Sequence, residues 1–242
     1  MFITKSNIDF LALALYFSAA TALNPSCAPG GNFDLSKFVL QLPSGSTNHP
    51  DQIPASRLSG CGGYQDPGHK YFFTESGDGA MVMKAPGGGK CATFPGAPRC
   101  RSEFGETGSW SSTASKNRLK ADLTVTAGSS VCIGQVFQAN SNNKPLAEVY
   151  FNGNGQITVG VEYVASGGHG QELNKIGTVS KGTRFHYEMR FENGKLQFSL
   201  NGGDFKTLKQ YFTTDRAFFK MGNYNQGGDE SGIHVFGLSV EH

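Results

Sequence analysis

The run "GTRFHYEMRFENGKLQFSLNGG", residues 182–203, admits one local structure. Phe185, Tyr187, Met189 and Phe191 alternate with Arg184, His186, Glu188 and Arg190, the period of a strand with one buried face. Asn193-Gly194 follows, a pair that accepts the positive φ angles of a two-residue hairpin turn. Leu196, Phe198 and Leu200 then return the apolar face. A lone hairpin is marginal in water, so this apolar face requires a second layer.

The same alternation recurs elsewhere. In "NRLKADLTVTAG" (117–128), Leu119, Ala121, Leu123 and Val125 oppose Arg118, Lys120, Asp122 and Thr124. "NGNGQITVGVEYV" (152–164) and "GIHVFGLSVEH" (232–242) add strands, no stretch sustains a helical period, and 33 glycines punctuate the chain. Many strands separated by turns form an antiparallel β-sandwich or jelly roll. No linker or composition shift divides it. The expectation is an all-β fold in a single domain.

The N-terminus reads as a secretory leader. Lys5 supplies the positive charge, residues 10–22 ("FLALALYFSAATA") an apolar run too short to span a bilayer, and Ala20-Thr21-Ala22 a cleavage site. This assigns 1–22 to a signal peptide and 23–242 to one β domain, secreted, extracellular and monomeric. No later segment is apolar enough to be transmembrane, so no membrane partner is expected. The net charge of +2 argues against a general nucleic-acid binder.

Five cysteines lie beyond the leader. Cys91 and Cys100 flank the Pro/Gly-rich loop "CATFPGAPRC" and are the first expected pair; Cys27 and Cys61, both in Gly-rich loops, are the second. Cys132, inside an apolar strand, is left as a buried free thiol. No C-x-x-C or paired His/Cys spacing suggests zinc. Asp34 and "GDESG" (228–232) offer oxygen ligands for a structural calcium, though not with EF-hand spacing.

"FFKMGNYNQ", residues 218–226, is a strand of another kind. Alternation puts Phe218, Lys220, Gly222, Tyr224 and Gln226 on one face, setting a cation, a gap and a phenol in line. It closely resembles the Y-F-K-x-G-x-Y-N-Q strand of the family-seven polysaccharide lyases, the alginate lyases. "RSEFGE" (101–106) resembles their R-S/T-E-L-R-E strand, "GQVFQ" (134–138) stands where they have Q-I/V-H, and "NFDLSKFVLQLP" (32–43) and "HVFGLSVEH" (234–242) look like their first and last strands. The order is kept over nearly the whole chain after the leader. Two positions depart from the pattern: Gly105 replaces its second arginine, and Phe137 replaces its histidine. The secreted, fungal-like sequence is also similar to the smaller family-twenty lyases, which cut β-1,4-linked polyglucuronate (glucuronan).

The resemblance implies a two-sheet jelly roll with a concave cleft that cuts a polyuronate by β-elimination, with glucuronan favoured and alginate the alternative. Such a lyase removes the proton from C5, beside the carboxylate, and expels the 4-O oxygen. Arg101 and Gln135 would neutralise the charge developing on that carboxylate. Tyr224 would move the proton, with Lys220 easing its ionisation and Gly222 leaving room for the ring. Glu103, Arg118, Lys120, His186, Asn225 and Gln226 complete the expected substrate-binding set. Without the family pattern, Arg101 would read as paired to Glu103, Tyr224 as a rim aromatic, and Arg118, Lys120 and His186 as the solvated side of a sheet.

The implied partner is an anionic polysaccharide, with no cofactor required. A hydrolase would need two carboxylates flanking the bond, whereas Glu103, Glu148, Glu162 and Glu188 are isolated in the sequence. A non-catalytic carbohydrate-binding jelly roll would want aromatic platforms, and Trp110 is the only tryptophan.

Overall fold

A computed structural model describes residues 22–242. The expected leader over 1–22 lies, except for Ala22, outside them. Two antiparallel sheets stack face to face. Numbered in chain order, the first runs β11 (Gln171–Thr178), β10 (Gln156–Glu162), β9 (Pro145–Asn152), β8 (Ser130–Gln138), β15 (Arg216–Asn225), β5 (Arg101–Glu106), β1 (Phe38–Ser46), β2 (His49–Ile53), with the short β6 (Trp110–Ser111) paired to β15. The second runs β14 (Lys206–Leu208), β13 (Lys195–Leu200), β12 (Phe185–Glu192), β7 (Arg118–Ala127), β16 (Ser231–Glu241), β4 (Met81–Ala85), β3 (Phe72–Thr74). Two single-turn helices, α1 (Pro29–Asn32) and α2 (Ala55–Leu58), lie outside the sheets. This is the expected jelly roll.

The hairpin of β12 and β13 forms as its sequence dictates. Glu192 pairs with Lys195, and Asn193 and Gly194 take φ of +50° and +71°. Its apolar residues meet those of the other sheet in one core that includes Phe104, Val136, Phe219, Tyr187, Met189 and Phe198. One buried hydrogen bond ties the layers: Tyr187 donates its hydroxyl proton to the Ile133 carbonyl at 2.7 Å. A Cβ at Gly134 would come within 2.5 Å of that hydroxyl, so this contact requires glycine. Trp110 also belongs to the core, with its indole N–H donated to Glu106 at 2.9 Å, and offers no sugar platform.

The polar side of the second sheet faces solvent and neutralises itself. Arg118 pairs with Glu192 at 2.5 Å, Lys120 with Glu241 at 2.7 Å, Arg184 with Asp122 and Arg190 with Glu188 at 2.5 Å. His186 sits in the same sheet, its backbone opposite Asp122. Arg118, Lys120 and His186 therefore do not belong to the cleft, contrary to the expectation. Alternation identified their common face correctly, but it is the ordinary solvated one.

The cysteines pair as expected, Cys27 with Cys61 and Cys91 with Cys100, while Cys132 is buried and free. The expected calcium ligands do not converge. Asp34 accepts from the Ser36 hydroxyl and N–H at 2.6 and 3.0 Å, and among the described residues no group of three or more His, Cys, Asp or Glu is placed to hold a metal.

Candidate active site

The outer side of the first sheet forms a cleft of about 600 Å³. Its floor is set by strand register. On β5, Ser102 and Phe104 are fully buried, whereas Arg101 lines the cleft and Glu103 and Gly105 its continuation. Tyr224 of β15 stands opposite Arg101, and Lys220 opposite Gly105. On the other flank Lys220 stands opposite Gln135 and Phe218 opposite Phe137 of β8. Three motifs far apart in sequence thus become three adjacent strands. The disulfide-closed loop supplies one wall through Phe94–Ala97, and residues 142–145 with Gly167 and Gly168 supply others.

Glu103 organises the centre. It is 3% exposed, accepts from Arg101 Nη1 at 3.1 Å through Oε2, and from Gln135 Nε2 at 2.5 Å through Oε1. Charge-assisted bonds of this kind hold both donors in fixed orientations. Arg101 is 6% exposed and its Nε–H has no partner. Its guanidinium lies over the Tyr224 ring, 3.6 Å from the centroid.

Burial sets the protonation of this cluster. It pushes the Tyr224 phenol above its ordinary range, while the nearby Arg101 charge pulls it back. Burial also lowers the Lys220 ammonium, despite the opposing effect of Glu103. For Arg101 burial works against the charge, but Glu103 and Tyr224 hold the guanidinium above its usual value. The cation on the phenol is therefore Arg101. Lys220 rests instead over the Phe137 ring, 3.9 Å from its centroid.

Gly222 does not provide the expected gap. It sits with φ +153° where β15 slips register against β8, and a Cβ there would lie 2.6 Å from the Ser102 carbonyl oxygen and 2.7 Å from Glu103 Cα. β5 fills that space; the glycine permits close strand approach at a bulge. The open space lies over the other glycine, Gly105, where a further cavity of about 220 Å³ is bounded by Glu103, Phe218, Lys220 and Phe94.

Asn225 and Gln226 also depart from expectation. Asn225 is buried and donates through Nδ2 to the carbonyls of Asp229 and Pro86, at 2.6 and 3.1 Å, so it anchors the strand end. Gln226 turns its amide back toward the Tyr224 carbonyl at 3.4 Å. Neither lines the cleft. No described imidazole lines it either: His69 stacks on Phe73, and His242 bonds Glu106 at 2.7 Å at the sheet's end.

Sequence reasoning set Glu148 of β9 and Glu162 of β10 aside as isolated carboxylates, yet both line the cleft, Glu148 directly opposite Gln135. The available signal was a glutamate flanked by apolar residues in "LAEVYF", a pattern that buries a carboxylate.

The sequence pattern of the family described as alginate lyase matches residues 33–242. No curated protein matches the chain. Among solved structures, an alginate lyase A1-II′ is 26% identical, with a TM-score of 0.77 over 90% of this chain and 100% of that one. A family 7 A1-II′ variant in complex with substrate (GGMG) is 25% identical, with a TM-score of 0.78 over 90% and 97%. The alginate lyase from Klebsiella pneumoniae, at 22% identity and TM-score 0.71 over 89% and 98%, shares the fold. With its ordered Arg101–Glu103–Gln135–Tyr224 cluster on that fold, the chain belongs to the alginate lyase family and is a polysaccharide lyase acting by β-elimination.

Proposed function

We propose that the protein cleaves alginate, with Tyr224 as the proton-transfer residue and Arg101 and Gln135 as carboxylate neutralisers. The observation that carries this reading is Glu103 holding both donors beside the Tyr224 ring in an open cleft. The family and the A1-II′ structures support alginate over the sequence-based preference for glucuronan.

The uronate carboxylate would meet the free Arg101 Nε–H and the remaining amide proton of Gln135. Neutralised in this way, it can accept the electron pair released at C5. The Tyr224 phenolate takes the C5 proton, the C4–C5 double bond forms, and the C4–O4 bond breaks. The phenol then returns the proton to the departing oxygen. One side chain serves both steps because Phe137 supplies no imidazole.

The departures at Gly105 and Phe137 support glucuronan as a second reading, since both alter the cleft next to Lys220. A panel of polymannuronate, polyguluronate and glucuronan, followed by the absorbance of the unsaturated end, decides between them. Turnover of glucuronan alone would overturn the alginate assignment. Tyr224→Phe keeps the ring and should bind substrate but lose essentially all turnover; near-parental rates would remove the phenol from the mechanism.

We further propose a secreted monomer consisting of the leader over 1–22 and one catalytic domain over 23–242. The two disulfides support an oxidising destination.

A further inference from the structure

Beta-elimination leaves one built part of the cleft unused. Glu148 and Glu162 are 8% and 6% exposed and both line the cleft, Glu148 standing directly opposite Gln135. One amide bridges them: Gln171 Nε2 on β11 donates to Glu148 Oε2 at 2.6 Å and to Glu162 Oε1 at 2.9 Å. The Tyr150 hydroxyl donates to Glu148 Oε2 at 2.8 Å. Gly160, opposite Glu148, leaves room for that amide, since a Cβ there would fall 2.0 Å from Gln171 Oε1. Glu162 Oε2 is left buried with no donor. An unpaired buried acceptor is costly, and a ligand donor arriving through the cleft would satisfy it.

Two carboxylates at one end of a cleft for a polyanion are otherwise unfavourable. The cleft's cations are not bonded to this pair: Arg101 is bound to Glu103, Lys220, two strands from Glu148 across Gln135, rests on Phe137, and Lys144 is exposed on the wall. A uronate ring offers two kinds of polar group, hydroxyl donors and a carboxylate, and this pair can accept only the first.

We propose that Glu148 and Glu162 form an acceptor subsite that binds the hydroxyls of one sugar ring and excludes a carboxylate from its floor, so selecting where along the chain the enzyme cuts. The inference rests on the polyuronate reading of the cleft. A ring whose carboxyl group is replaced by a neutral alcohol should fit there best, because its C6 hydroxyl donates where the carboxylate can only accept.

The test uses oligouronates in which a fraction of carboxyl groups has been reduced to primary alcohols, cut by the parent enzyme, Glu162→Gln and Glu148→Gln, with products sequenced by mass spectrometry. The parent should enrich alcohol-bearing rings at one fixed distance from the new chain end. Glu162→Gln should lose that enrichment and bind fully ionised oligomers up to about tenfold more tightly, as expected when a like-charge opposition is removed. Random placement of alcohol-bearing rings in the parent's products, or unchanged enrichment in a folded Glu162→Gln, would overturn the subsite. The parent's product pattern decides the matter even where a variant fails to fold. Failure of the parent to cut any polyuronate would sink the functional reading instead.

Discussion

Arg101 carries two tasks that a substitution can separate. On the proposed mechanism its guanidinium meets the charge that develops at the uronate carboxylate, and in the fold it is the cation that opposes the upward shift of the Tyr224 phenol. Arg101→Ala should lower kcat by about 10²–10³, the usual cost of one preorganised donor, with a smaller change in KM. Its residual activity should also rise at higher pH than in the parent, because the phenolate loses its nearby positive charge. A raised KM with normal kcat would show that Arg101 only binds substrate. Lys220 offers a different trade. Burial lowers its pKa in the fold, so the unfolded chain binds the proton more readily and the charge weakens stability below the unfolded value near ~10.4. Lys220→Met should therefore gain about 0.5–2 kcal/mol at neutral pH while losing activity. Denaturant titration should show the gain shrinking as pH rises through the lowered pKa toward that value.

At the scale of elements, the cleft depends on how closely β5 and β15 approach and on the loop that leads into β5. Gly222→Ala would drive a methyl group into the Ser102 carbonyl and Glu103 Cα at a φ that side chains rarely adopt. It should cost at least 1–3 kcal/mol by thermal or denaturant unfolding and displace Glu103, hence both donors. The Cys91–Cys100 bridge closes a short loop that ends at Arg101 and carries Phe94–Ala97 over the cleft. Replacing both cysteines by serine should lower stability by roughly 2–4 kcal/mol and raise KM, as the wall loses its anchor. A variant with parental Tm and KM would show the bridge to be dispensable. β15 was legible from its period-two alternation, β5 from its resemblance to a lyase strand, and the loop from the cysteines that flank it. The register that sets Tyr224 against Arg101 was not; it emerges only when β15 inserts between β5 and β8. The role of Gly222 was misread for the same reason, since its neighbour comes from another strand.

Across the whole molecule, the two sheets share a pattern, but the cleft lies on the first. Alternation shows which residues lie on one face, yet nothing local says which of two polar faces encloses a cleft. Arg118, Lys120 and His186 were plausible ligands for a polyanion until their sheet proved to be the solvated one, with Arg118 and Lys120 paired to Glu192 and Glu241. The net charge of +2 points the same way, because it supplies no strong general field to gather a polyanion, so recognition must be local. On the proposed reading it comes from a few buried groups on the opposite sheet, Arg101 and Gln135 among them. Replacing Arg118, Lys120 and His186 together by alanine should therefore leave kcat/KM on any accepted polyuronate within about twofold. The change removes two partly exposed ion pairs, each worth about 0–1 kcal/mol, so Tm should fall only slightly. The salt dependence of KM should also match that of the parent, since the charges that meet the substrate are retained. A tenfold loss of kcat/KM in a triple variant that still melts cooperatively would mean the second sheet touches the polysaccharide, and the substrate path would then have to continue around the edge of the sandwich.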